Sequence, residues 1–307
     1  MRRIGLAILL AASTPLLAQQ RDWSKVEVKA QPLSEGIWML TGAGGNIGLS
    51  AGPDGAFLID DQYAPLTEKI VAAVKAVTDQ PIEFVLNTHY HPDHAGGNEN
   101  LGKAGVMIVA HENVRKRLTM DWFNETFQSP MKPAPAAALP VVTFTESVTF
   151  HYNGDEIRIL HVPPAHTDGD SIVFFPKANV LHTGDLAFNG LYPVIDYSAG
   201  GTIDGMVAAC DRVMAMIDEK TKVIPGHGPL TDKAGLKEYR DMLAGVRDRV
   251  KPMVAAGKTI DEVRAAKPTA PWDAKWGGGY YKPDAWVAVV YGSLGGKLPK
   301  PTPTPAP

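Results

Sequence analysis

A chain of 307 residues that is 45% hydrophobic can bury one large core or two small ones. Its formal net charge is −3, from 30 Lys+Arg against 33 Asp+Glu, with no long basic run. That balance lacks the electrostatic footprint of a polyanion-binding surface and argues against a nucleic-acid partner.

Read in chain order, Met1-Arg2-Arg3 is followed by an apolar run from Ile4 to Leu10 and by small and turn-forming residues through Ala18-Gln19-Gln20. Basic, then apolar, then small is the order of a secretory signal peptide, expected over residues 1–18, which would place the protein in the periplasm or outside the cell. No later stretch reaches the ~18 apolar residues of a membrane anchor. From Val26 to Asp60, short β-rich runs (Ile37–Leu40, Ile47–Ser50, Phe57–Asp60) alternate with glycine clusters and predict an antiparallel meander. Ile70, Val71, Val74 and Val77 follow Pro65 at helical period, so a helix covers that sheet. Apolar runs at Ile82–Leu86 and Val106–Ala110 continue an alternation of strand and helix. Ser129 to Pro140, dense in Pro and Ala, reads as an unstructured separator between two halves. It follows an aromatic group, Trp122, Phe123 and Phe127, that is either a packed helix face or an apolar lid.

The second half repeats the scheme. Strands are expected near Val141–Phe144, Val148–Tyr152, Ile157–Val162, Ser171–Phe175 and Val180–Thr183, then a helix over Ile203–Glu219, a strand at Lys222–Pro225 and a long helix from Asp232 to about Ala256. Thr259-Ile260-Asp261-Glu262 has capping-box spacing. Meanders flanked by helices in both halves predict an α+β fold with two sheets packed face to face and helices outside. One domain over residues 19–296, with a disordered Pro-rich tail at 297–307, accounts for the whole pattern. The lone Cys210 has no partner for an intrachain disulfide and sits at helical apolar spacing, as a small core residue would.

Residues 87–98 read Asn-Thr-His-Tyr-His-Pro-Asp-His-Ala-Gly-Gly-Asn, directly after an apolar strand. Imidazole and carboxylate at that density suit zinc or a similar divalent ion. Pro92 and Gly96-Gly97 are expected to keep the segment a loop, whose side chains can serve two adjacent ions.

This motif resembles the signature of the metallo-β-lactamase superfamily. The resemblance continues through Pro164-Ala165-His166-Thr167-Asp168, Thr183-Gly184-Asp185 and Pro225-Gly226-His227-Gly228, each at the end of an expected strand, and spans roughly Val26 to Leu294. It implies a four-layer αββα sandwich. It also implies one metal on His89, His91 and His166, a second on Asp93, His94 and His227, and Asp185 bridging both as in glyoxalase II-like members. The familiar β-lactamases carry Cys, Ser or another residue at the Asp185 position, which counts against a dedicated β-lactamase. Members that hold iron for redox chemistry usually replace the second motif His by Glu, whereas His91 is intact here. Two zinc ions are therefore the implied cofactors, with Fe or Mn as alternatives.

Two cations sharing a water lower its pKa from 15.7 towards about 7 and polarise the bond to be cut. Asp93 is the candidate to orient that water and pass its proton on, so Asp93 and Asp185 are the expected catalytic carboxylates. Asp60, and Asp168 or Asp170, are candidates to brace ligand imidazoles. Asn189, Leu191 and Tyr192, shortly after Asp185, are candidate substrate contacts. His111, His151, His161 and His182 lack ligand spacing and are expected in core or surface roles. The glycine-rich Gly42–Asn46 stretch lacks the residues of a phosphate loop and reads as a hairpin turn beside the cleft. The expected activity is hydrolysis of a small ester, thioester, lactone or amide. A β-lactamase and an iron-dependent sulfur dioxygenase or redox-relay component are the alternatives. The expected partner is a small molecule, and nothing in the sequence bears on oligomeric state.

Overall fold

The computed structural model describes residues 21–299. Strands β1 (Lys29–Ser34), β2 (Ile37–Thr41), β3 (Ile47–Gly52) and β4 (Gly55–Ile59) form the antiparallel meander. Helix α1 (Thr67–Lys75) leads to β5 (Ile82–Asn87), parallel to β4. The short α2 (Pro92–Ala95) and α3 (Asn98–Lys103) lead to β6 (Met107–His111), parallel to β5. Helix α4 (Glu112–Thr119) and a hairpin of β7 (Trp122–Asn124) and β8 (Ser129–Met131) precede β9 (Val142–Phe144). Among the described residues this makes a seven-stranded sheet in the order β1-β2-β3-β4-β5-β6-β9.

The second sheet is β10 (Ser147–Tyr152), β11 (Asp155–His161), β12 (Ser171–Phe175), β13 (Val180–His182) and β14 (Lys222–Ile224). Helix α5 (Ile203–Met216) makes the crossover that sets β14 parallel to β13. Helices α6 (Lys233–Ala255), α7 (Ile260–Ala265), α8 (Asp273–Trp276) and α9 (Pro283–Ser293) complete the chain. The capping box at Thr259 is formed, with Thr259 and Glu262 each satisfying the other's backbone N–H.

Period-two alternation sorts the strand side chains into layers. Phe57, Ile59, Leu86 and Val109 of the first sheet pack against Ile157, Ile159, Val173, Phe175 and Ile224 of the second. Leu58, Val85 and Ile108, out of phase with those, pack beneath Leu66, Ile70 and Val74 at α1. On the far side, Ile172, Leu181 and Val223 meet Met206 and Val213 of α5, Leu243 of α6 and Val290 of α9. The result is the expected helix–sheet–sheet–helix sandwich. Phe57, wholly buried between Phe84 and Phe150 with ring centroids 5.4 and 5.0 Å away, shows the scale of that packing, since a ring so placed contributes about 3–5 kcal/mol.

Three expectations are corrected. The Val142–Phe144 strand joins the first sheet, parallel to β6, instead of opening the second. Ser129–Pro140 is not a structureless separator: Ser129–Met131 pairs with Trp122–Asn124, and the turn at Ala136–Ala138 packs on α3, where Asn98 Nδ2 donates to the Ala138 carbonyl at 3.0 Å. The second part of the histidine motif is a turn of helix, α2, because Pro92 at its first position is preset for helical backbone and Ala95 N–H reaches the His91 carbonyl at 2.9 Å. The expected signal peptide, and the Pro-rich tail from residue 300 onward, lie outside the described residues. Among those described, no helix is long and apolar enough to cross a membrane.

Candidate metal centre

The seven expected ligands arrive from strand ends on one edge of the sandwich. The end of β5 delivers His89 and His91, and α2 delivers Asp93 and His94. The loop after β11 delivers His166, the turn Gly184–Leu186 after β13 delivers Asp185, and the loop after β14 delivers His227. They form two donor groups, His89, His91, His166 and Asp185 in one and Asp93, His94 and His227 in the other, with donor atoms in each within 4.8 Å of one another. Asp185 joins them. Its Oδ2 is 3.5 Å from His166 Nε2 and 3.9 Å from His89 Nε2, while its Oδ1 is 3.0 Å from His94 Nε2 and 3.3 Å from His227 Nε2. Asp93 Oδ2 faces His227 Nε2 at 3.3 Å.

Two glycines permit this closeness. A Cβ on Gly45 would stand 2.1 Å from the His94 ring, and one on Gly226 would stand 2.0 Å from Asp185 Oδ1. Asp60 and Gln62 hold left-handed backbone, φ 66° and 55°, a conformation that costs a non-glycine residue about 1 kcal/mol or more. The strain persists because it aims both side chains. Asp60 accepts from Thr88 N–H at 2.7 Å, Thr88 hydroxyl at 2.8 Å and His94 Nδ1 at 2.7 Å, and Gln62 donates to the Gly45 carbonyl.

Each buried imidazole is held by the nitrogen that faces away from the cluster. His94 Nδ1 is held by Asp60, His166 Nδ1 by the Val194 carbonyl at 2.7 Å, His91 Nε2 by Asp196 at 3.0 Å, and His89 Nδ1 lies 3.1 Å from the Thr88 hydroxyl. These contacts fix the tautomer that leaves an inward nitrogen free. Asp60 is the brace expected from sequence. Asp170 braces backbone instead, accepting from the His166 and Thr167 N–H groups at 2.7 and 2.9 Å, and burial raises its carboxyl to about 7. Asp168 pairs with Arg117 at 2.7 Å, away from any ligand.

Asp196, Asn124 and Tyr90 were not anticipated. Asp196 Oδ2 accepts from Tyr90 hydroxyl, His91 and Asn124 Nδ2, the last at 2.8 Å. The one sequence signal was an isolated acid in the apolar run Pro193-Val194-Ile195-Asp196.

Inward-facing nitrogens crowd one another, and at the His166–His91 contact two lone pairs are opposed. His166 Nε2 lies 2.8 Å from His91 Nδ1, and His94 Nε2 lies 3.3 Å from His227 Nε2. His89 Nε2 and Asp185 Oδ1 are buried without a hydrogen-bond partner. Opposed lone pairs and orphaned buried donors around a carboxylate are what a divalent cation would satisfy, so the residues fit a metal pair. The electrostatics agree. Burial drives His89 well below its usual range and His166 to about 4, keeping both neutral as ligands must be. Burial opposes charge on His94 and His227 as well, but there Asp185 and Asp93 outweigh it. His94 is raised well above its usual range and His227 to about 9. Burial is likewise outweighed at Asp93, where His94 and His227 hold the carboxyl down to about 2.

In the metal-free protein, then, protons occupy the Asp93–His94–His227 group at neutral pH, and metal must displace them. Because the His227 value is raised, its proton competes at every pH below about 9. Metal affinity of this group is expected to rise with pH from 6 to 9 by about tenfold per unit for each proton released. Calorimetric zinc titrations in buffers of different ionisation enthalpy measure that release; an affinity independent of pH would contradict it.

The expected substrate contacts fare differently. Asn189 is turned away from the cluster, its Nδ2 donating to the Pro229 carbonyl at 3.0 Å, and lines no part of the cavity. Tyr192 lines the cavity with its ring only. The side chain is 2% exposed, stacks on Trp286 at 4.2 Å and directs its hydroxyl to Asp273 at 2.8 Å. Leu191, the third expected contact, does line the cavity, which is about 460 Å³ and is also walled by Phe127, Met131, Phe188 and Val194, with Gly44 of the glycine hairpin at its border. Trp122, Phe123 and Phe127 form a hairpin, not a helix face: Phe127 enters the cavity and Phe123 is exposed. His111 and His161 stack on each other at 3.8 Å, and His182 is buried against the Asn46 carbonyl, so neither pair member nor His182 joins the cluster.

The fold and this His/Asp cluster define a class. The family model of the metallo-beta-lactamase superfamily matches residues 40–238, and the chain belongs to that superfamily. It is 24% identical over 253 residues to a linear primary-alkylsulfatase of Pseudomonas sp., covering 69% of this chain and 47% of that protein. It is 25% identical over 158 residues to a hydroxyacylglutathione hydrolase of Pelagibacter ubique, covering 50% of this chain and 56% of that protein. The chain thus spans about half the length of these two relatives. Among solved structures, a metallo-beta-lactamase from Pontibacter korlensis superposes with a TM-score of 0.57 at 23% identity, over 71% of this chain and 99% of that one. The DIM-1 metallo-beta-lactamase gives 0.58 at 21%, over 72% and 99%.

Proposed function

We propose that the protein is a hydrolase with a two-zinc centre that cleaves a small ester, thioester, lactone or amide. The observation that carries this reading is Asp185, whose two oxygens each face a separate group of metal donors. Histidine and carboxylate donors without cysteine suit zinc, and cavity access to Asp93, Asp185 and His227 is the mark of an open catalytic site, not a closed structural one. His89, His91 and His166 would hold one ion, Asp93, His94 and His227 the other, with Asp185 between. When bound, the two ions would supply the Lewis acidity that generates a nucleophile from water near neutral pH.

The chain's own groups do the rest. Asp93, kept ionised, turns Oδ2 to His227 and leaves Oδ1 to accept a proton from a water in the cavity. Asp93 can then return that proton to the leaving group. The named hydrolase and alkylsulfatase relatives support the reaction class. The basic, apolar, small order of residues 1–18 supports export to the periplasm or beyond; N-terminal sequencing of exported protein tests it, and an intact Met1 would refute it.

The decisive experiment is zinc-loaded protein run against a panel of esters, thioesters, lactones and nitrocefin. Turnover of an acyl substrate, lost on chelation and restored by zinc, is expected, with nitrocefin at background. Full activity after chelation would overturn the reading. Iron in the purified protein together with oxygen consumption would replace it with redox chemistry.

A further inference from the structure

We infer that the cavity over the metal centre is a site for an apolar chain, so that the substrate is an acyl or alkyl compound with a straight hydrocarbon arm of several carbons. The inference takes the bond that is cut from the hydrolase reading above, but the chain site stands on its own observations.

Outside the candidate metal ligands the wall is mainly apolar, with Phe127, Met131, Phe188, Leu191 and Val194; Tyr63, Ser129 and Tyr280 add hydroxyl-bearing side chains, and among the described residues Arg21 is the one charged group of the lining that is not a candidate ligand. A sugar would leave most of its hydroxyls unpaired against the apolar part of that wall, each at a cost of about 1–3 kcal/mol. The apolar surface starts where the ligands end. Phe127 lies edge-on to His91 with ring centroids 5.1 Å apart, and Phe188 stacks on His227 at 4.8 Å and 21°. A chain attached to the reacting carbon therefore meets a phenyl ring beside either donor group.

The wall is also fixed to the ligands. Phe127 N–H donates to Asn124 Oδ1 at 3.0 Å, and Asn124 Nδ2 donates at 2.8 Å to Asp196, the carboxylate that holds His91. The Val194 carbonyl holds His166. Leu191 is closed in from the C-terminal side, where a Cβ on Gly279 would stand 2.8 Å from its Cδ2. Next to that glycine Tyr280, 78% exposed, borders the mouth. A volume of about 460 Å³ lies low in the range of small-molecule sites and admits one chain, not a branched bulk.

The test measures binding and turnover separately. Zinc-loaded full-length protein is titrated by calorimetry with straight-chain carboxylates from acetate to octanoate, and p-nitrophenyl esters of the same acids are assayed. The Kd is expected to tighten by up to about fourfold per methylene, then level off where the chain outgrows the cavity. Leu191→Ser, in the loop after Asp185, and Met131→Ser, in β8, are each expected to flatten that slope by at least half while zinc content stays unchanged. A Kd flat along the series, or a slope that both variants retain, overturns the chain site. Ester turnover with a flat series would sink the chain site and leave the hydrolase reading standing. A steep series with no turnover of any ester would do the reverse.

Discussion

Asp185→Asn is expected to lower the zinc content from about two ions per chain to about one and to cut turnover by more than about a hundredfold, a loss beyond the 10–100-fold that follows removal of a group that only braces a ligand. The amide keeps the shape and the surrounding packing, so the fold should persist. What it lacks is the second anionic oxygen: Oδ2 serves the His89–His91–His166 group and Oδ1 serves His94 and His227. A second signature separates this from general damage. In metal-free protein Asp185 is the carboxylate that, against the effect of burial, lifts His227 to about 9, so the variant's His227 should titrate lower, nearer the ordinary imidazole range, by proton NMR. Two zinc ions retained with turnover within a few-fold of the parent would contradict the bridging role.

The next largest effect is expected at Asp196→Asn, a position with no access to the reacting atoms. Burial disfavours the Asp196 carboxylate, but hydrogen bonds from His91, Tyr90 and Ser198 outweigh that and hold it far below the usual range. As an anion it accepts every one of those hydrogen bonds, and it fixes His91 with Nε2–H outward and Nδ1 toward the cluster. An amide places a donor where only an acceptor works, leaving a buried N–H or O–H unpaired at about 2 kcal/mol. Zinc affinity of the first donor group is expected to fall 10–100-fold, while the Asp93–His94–His227 group loses far less, because those residues do not touch Asp196. Competition titrations with a chelator dye resolve the two sites. Equal losses at both would mean that Asp196 supports the fold only, and no loss at either would mean that His91 needs no partner.

How much of this was legible depends on what each position needs from sequence. The seven candidate ligands are legible because a metal accepts few side chains, and because each leaves a strand end with glycine or proline nearby, as in His89-Tyr90-His91-Pro92 and Gly226-His227-Gly228. Layering is legible for the same kind of reason: Phe57-Leu58-Ile59 alternates faces and both are covered. Pairing partners are not. Val142–Phe144 has the composition of any strand, and its place beside β6 is set by the crossover through α4 and the β7–β8 hairpin. The braces were half legible. Asp60 ends a strand and is an acid, which suggests a role, but the Val194 carbonyl that holds His166 has no side-chain signature at all. Asn124 and Asp196 meet only because topology brings the hairpin over the Ile195–Tyr197 turn. Asn189 shows the opposite error: nearness to Asp185 in the chain suggested a cavity residue, whereas its amide ties the loop to Pro229.

The centre itself is tested most directly by X-ray absorption at the zinc edge of the fully loaded protein. Seven side chains sharing one carboxylate predict two ions per chain, a first shell of nitrogen and oxygen at about 2.0–2.1 Å and a metal–metal shell at about 3.5–4 Å. A single ion per chain, or two ions with no metal–metal scattering and sulfur in the first shell, would contradict it.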